Sequence, residues 1–107
     1  MTMTQALRIA ATILGLAAGT QIEAGLAQTA FTREPERDRS GNDIVVEALD
    51  VTADAGLCEA LCRARVDCVA YTFVKRSDTV PKPLCRLKDE RPYPHESSCC
   101  ISGERRE

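Results

Sequence analysis

From residue 54 to residue 66 apolar side chains recur at three- and four-residue steps, Leu57, Cys58, Leu61, Cys62 and Val66, with Glu59, Arg63 and Arg65 on the opposite side. This is the period of a helix with one buried stripe, about eleven residues long, and Thr52 or Asp54 is placed to cap its first turn. On either side the period falls to two. Residues 68–74 put Cys68, Ala70, Thr72 and Val74 on one face and Val69, Tyr71 and Phe73 on the other, which predicts a strand. A polar hairpin loop at 75–83 then returns the chain as a partner strand at 84–88. Ahead of the helix, the β-branched run at 44–49 predicts another strand, entered through a turn at 40–43 where Gly41 or Asn42 can take positive φ at little cost. Residues 29–32 form a short edge strand that stops at Pro35. The run from Arg33 to Arg39 alternates in charge sign and reads as a solvated loop. Residues 91–96 are a proline-stiffened loop, and 99–103 a short last strand. One helix among antiparallel strands, with no repeat and no linker, makes a single α+β domain.

The first stretch follows neither period. After Arg8, residues 9–18 are an uninterrupted run of apolar and small side chains, and Glu23 ends the apolar segment. Such a run is too short to cross a bilayer about 30 Å thick as a helix. Gly25 and Ala27 stand three before and one before a cut ahead of Gln28, so residues 1–27 read as a secretory signal peptide. Its removal takes 27 of the 107 residues and leaves 80, the domain at 28–107. Export then places the protein in a periplasm or outside the cell, with no membrane anchor after cleavage.

Size changes the reading of the cysteines. A core in a domain this small gives thin stability, and this chain has no Trp, two Phe and two Tyr to bury. All six cysteines lie between Cys58 and Cys100, an even number behind an export signal, and are therefore expected to be oxidised. Charge directs less. Cleavage removes one basic and one acidic residue, Arg8 and Glu23, so the net charge stays at −2, and a balanced surface argues against nucleic acid or a polybasic membrane anchor.

Helix geometry narrows the pairing. Cys58 and Cys62 are four apart, so both sulfurs point from one helix face towards whatever it packs on, not towards each other. Cys68 and Cys85 lie on adjacent strands at the centre of the sheet. A nested arrangement, Cys58 with Cys85 and Cys62 with Cys68, fits the distances better than the crossed one, Cys58 with Cys68 and Cys62 with Cys85, because Cys62 is nearer the helix exit.

Five segments in order carry a family resemblance: 38–43 ahead of a strand, Cys58 to Cys62 in the helix, the strand from Cys68, Cys85 with Arg86, Leu87 and Lys88, and Cys99-Cys100-Ile101-Ser102-Gly103. Together they resemble a bacterial PAN/Apple domain with a core at about 31–105. The resemblance implies a small twisted antiparallel β-sheet with one helix packed across it, stapled by the same nested bridges. It also implies a module that recognises a protein or a carbohydrate. A further bridge common in that family, from the N-terminal to the C-terminal strand, has no cysteine near Phe31 to form it.

Cys99 and Cys100 are left to each other or to another molecule. Their mutual bond closes a strained eight-membered ring. The alternatives are reduced thiols or a disulfide-linked dimer through Cys99 or Cys100. Zinc at His95, Cys99 and Cys100 would want a fourth ligand that the spacing does not supply, so neither metal nor cofactor is expected. His95 is also the one histidine in the chain, and neither a Ser-His-acid set nor a phosphate-cradling glycine loop can be assembled, which argues against an enzyme.

The expected function is a secreted or periplasmic binding module for an extracytoplasmic protein or glycan. Candidate ligand-binding residues are Lys75, Arg76 and Lys82 in the 75–83 loop and Arg91, Tyr93 and His95 in the 91–96 loop. The alternative is a secreted redox or thiol-linked protein that works through Cys99 and Cys100.

Overall fold

The computed structural model describes residues 30–106; the expected signal peptide at 1–27 lies outside the described residues. Among the described residues seven elements follow one another: β1 (Ala30–Phe31), β2 (Glu34–Asp38), β3 (Asp43–Ala48), α1 (Ala55–Arg63), β4 (Ala70–Val74), β5 (Leu84–Lys88) and β6 (His95–Arg106). Every strand pairing is antiparallel, in the order β1-β6-β4-β5-β3, and β2 also pairs with β6. This is the α+β fold class expected, a sheet with one helix across it.

Register explains which side the helix covers. Tyr71 and Phe73 stand opposite Leu87 and Cys85 on β5, so these four share one face. Onto that face α1 lowers Ala55, Cys58 and Cys62, which are buried. Asp54 is the N-cap, its carboxylate accepting from the Leu57 amide at 3.3 Å. The helix stops at Arg63, earlier than the period suggests. Val66 lies beyond it and is 98% exposed, and Leu57 is also exposed, so the buried stripe is narrower than the apolar pattern, made of the two cysteines and Ala55.

Cys58 is bonded to Cys85 with Cα atoms 5.4 Å apart, and Cys62 to Cys68 at 5.2 Å. The first staples the helix to the middle of the sheet and the second closes the turn that leaves the helix. Arg105 of β6 reinforces that turn, donating to the carbonyls of Cys62, Arg65 and Cys68 at 2.8–3.0 Å. Its guanidinium also lies over the Phe31 ring at 5.0 Å, as does that of Arg63.

The other face of the sheet is polar and still buried. Thr72, Lys88 and Ser102 are fully covered there by the chain at 37–43. The Arg39 amide donates to Thr72 Oγ1 at 3.3 Å, the Thr72 and Ser102 hydroxyls meet at 2.7 Å, and Ser102 Oγ donates to the Arg37 carbonyl at 3.0 Å. Since Ser102 spends its proton on that carbonyl, Thr72 is the donor between the two hydroxyls, and no group in the relay is left unsatisfied. Lys88 Nζ donates to the Gly41 carbonyl at 3.0 Å and to Asp43. Gly41 and Asn42 both take positive φ, 98° and 61°, which turns the chain back into β3.

Three sequence expectations change. The charge-alternating run at 33–39 is strand β2 with a buried Arg39, not a solvated loop; its guanidinium pairs with Glu34 at 2.9 Å and donates to the Pro92 carbonyl at 2.8 Å. The register shifts between Pro35, which faces Ile101, and Arg37, which faces Glu96, and Glu36 at φ 57° is the residue left out of the ladder. The last strand is twelve residues long, not five, because β6 serves β1 and β2 on one edge and β4 on the other; His95 is its first residue, not a loop residue. Glu59 is not solvated: it accepts from Arg33 at 2.9 Å, Arg63 at 3.0 Å and the Tyr71 hydroxyl at 3.3 Å.

Candidate binding clefts beside the β4–β5 hairpin

The 75–83 segment joins β4 to β5 as a loop held by reciprocal backbone bonds between Ser77 and Val80, at 2.8 and 3.2 Å. Its first amide, at Lys75, donates to the Cys99 carbonyl at 2.9 Å, which fixes the loop base to β6. The loop therefore stands as a ridge between two open clefts. One, of about 540 Å³, lies towards β6 and is lined by Lys75, Arg76, Ser77, Thr79, Val80, Ser98 and Cys99. The other, of about 270 Å³, lies towards β3 and β5 and is lined by Ala48, Thr79, Val80, Pro81, Lys82 and Leu84. Thr79 and Val80 belong to both walls.

Charge separates the loop from the rest of the molecule. Away from the loop most cations are held by carboxylates: Arg33 and Arg63 by Glu59, Arg39 by Glu34 and Glu104, Arg86 and Lys88 by Asp43, Arg91 by Glu104. The side chains of Lys75, Arg76 and Lys82 make no hydrogen bond and no ion pair; among the described residues only Arg106, at the end of β6, shares that condition. Asp78, in the same loop, lines neither cleft. Three cations with no partner around two cavities form an electropositive surface, while every committed charge lies elsewhere.

The committed carboxylates titrate accordingly. Burial works to raise Glu34, Asp43 and Glu59, but hydrogen bonds and charge from their cationic partners outweigh it and hold all three below the ordinary carboxylate value. Tyr71 moves the other way: burial, with the Glu59 charge, pushes its hydroxyl up to about 12. Its partners and its place in the core make it a structural group. Gly103 allows this packing, since a Cβ there would strike the Thr32 carbonyl and the Tyr71 ring.

Of the six candidate ligand residues, the structure brings Lys75 and Arg76 into the larger cleft and Lys82 into the smaller. Arg91, Tyr93 and His95 line neither. Arg91 donates to the Arg105 carbonyl at 3.0 Å, Tyr93 is 86% exposed, and His95 stands 4.0 Å from Asp38. Ser98, Val80, Pro81, Ala48 and Leu84 were not singled out from the sequence. Val80 and Pro81 did carry a signal, an apolar pair inside a polar loop; Ala48 and Ser98 carried none, because register alone brings them there. Cys99 is exposed in the wall of the larger cleft and is bonded to Cys100, which is buried.

Residues 37–88, from the end of β2 to the end of β5, match the family model of the PAN domain. No curated protein and no solved structure matches the chain. The matched segment contains α1, both stapling bridges, the whole ridge and the lining of the smaller cleft, while Ser98 and Cys99 in the wall of the larger cleft lie beyond it.

Proposed function

We propose that this PAN/Apple-type protein is an exported, disulfide-stapled binding module that recognises an extracytoplasmic protein or carbohydrate through the clefts beside its β4–β5 loop, and that it performs no catalysis itself. The observation that carries this reading is the set of unpartnered cations, Lys75, Arg76 and Lys82, arranged around two cavities on a scaffold whose other described cations, Arg106 apart, have partners. Ligand sites are concave surfaces with a few polar groups at fixed positions, and the staples hold these without further ordering. Export is supported by the apolar run at 9–18 and by a disulfide density that suits an oxidising compartment. Among the described residues no helix is long and apolar enough to cross a membrane.

The test is a glycan array together with affinity capture from the envelope of the producing cell, run with the protein and with its Lys75→Glu, Arg76→Glu double variant. A ligand retained by the first and lost by the second, at unchanged thermal midpoint, is expected; silence in both assays contradicts the proposal. A second reading, thiol exchange at Cys99 and Cys100, is favoured by the exposure of Cys99 in the larger cleft. Mass spectrometry under alkylation decides it: six oxidised cysteines that resist mild reductant sink the redox reading.

A further inference from the structure

The two clefts differ in chemistry, and the difference narrows the ligand. The larger is walled by two unpartnered cations and the hydroxyls of Ser77, Thr79 and Ser98, a surface suited to carboxylates. The smaller is walled by Ala48, Val80, Pro81 and Leu84, with Lys82 as its one charge. At about 270 Å³ it admits a single bulky apolar side chain. Neither cleft contains an aromatic ring on which a sugar could stack, and a polyanionic saccharide has no apolar group with which to fill the smaller one.

We infer that the ridge is a docking site for an acidic peptide segment of a partner protein, one that places a leucine-, isoleucine- or phenylalanine-type side chain in the cleft beside Ala48 and a neighbouring carboxylate in the cleft beside Lys75 and Arg76. The proposal rests on the binding-module reading and adds the class of partner. Charge complementarity selects the occupant: three cations await partners on both sides of the ridge, and a segment straddling Thr79 and Val80 meets all of them. Release of an apolar side chain from water gives such a contact its affinity, while the cations give it orientation and speed of association.

The probe is an array of short immobilised peptides in which a leucine or phenylalanine is flanked by Asp and Glu at varied spacing. It is paired with versions carrying Ala at the apolar position or Asn and Gln at the acidic ones, and with oligogalacturonate and a sulfated oligosaccharide as non-peptide anions. Acidic peptides with the bulky side chain are expected to be retained. Their binding should weaken about tenfold or more in the Lys75→Glu, Arg76→Glu variant and fall with added salt. Ala48→Phe fills the smaller cleft from an exposed position on β3, and should abolish the preference for leucine over alanine while keeping the dependence on acidic residues. Retention of the saccharides but not the peptides overturns the inference and leaves a glycan module. Equal retention by the charge-reversed variant, or no retention of any probe, overturns it as well. Envelope capture keeps the two failures apart: a partner held equally by the protein and the charge-reversed variant defeats this inference and the placement of binding at the ridge but leaves a binding module, whereas capture of nothing together with a silent glycan array defeats the binding-module reading too.

Discussion

Lys88 is a charged side chain with no exposed surface, and it is tolerated because Asp43 and the Gly41 carbonyl meet its ammonium. Removing one member of such a pair costs more than the pair contributes, since it strands the other charge. Asp43→Ala should therefore destabilise by about 3–5 kcal/mol, and Lys88→Met by clearly less, because Asp43 remains partly exposed and keeps Arg86. Denaturant melts of both variants check this; equal costs would mean that the ammonium reaches water. The same carboxylates set the response to acid. Glu34, Asp43 and Glu59 bind protons less tightly folded than unfolded, so the unfolded chain takes up more protons as pH falls. Their contribution is complete above the ordinary values of 4.5 for Glu and 3.8 for Asp, and is lost as pH drops through the lower folded values. The thermal midpoint should be level from pH 7 to about 5 and then fall, less steeply in Glu34→Gln. A midpoint unchanged down to pH 3 would contradict the assignment.

At the scale of elements, the two bridges are unequal. The one between Cys58 and Cys85 spans 27 residues and joins α1 to β5; the one between Cys62 and Cys68 spans 6 and closes a single turn. Loop-closure entropy gives about 3–4 kcal/mol for the first and about 2 kcal/mol for the second, so replacing Cys58 and Cys85 by Ala should lower stability further than replacing Cys62 and Cys68. Chemical denaturation of the two double variants measures the order, and a reversed order would mean that the turn, not the helix-to-sheet staple, limits unfolding. The period of the helix and the alternation of β4 were legible because one buried side imposes them. Strand β2 was not. Its charges look solvated in sequence, yet Arg39 is covered because Glu104 and the Pro92 carbonyl, distant in sequence, join Glu34 of the same segment around it. Likewise the length of β6 depends on three partner strands, which no local pattern in 95–106 records.

For the whole molecule, the sheet and its two coverings divide labour. The helix face holds the apolar core and the two stapling bridges, the opposite face holds a satisfied polar relay, and the 75–83 ridge at one end of β4 carries three cations that nothing internal uses. Sequence placed Lys75, Arg76 and Lys82 in that loop but grouped them with Arg91, Tyr93 and His95, because two polar loops near each other in sequence look alike. The fold separates them: β6 passes the ridge at Ser98 and Cys99, while Arg91 is drawn to Glu104 and Arg105. Binding at the ridge is tested most directly by quantitative affinity capture from the producing cell's envelope, comparing the protein with its folded Lys75→Glu, Arg76→Glu variant. One partner enriched by the protein and lost from the variant is the predicted result; the same partner on both, or none on either, would contradict it.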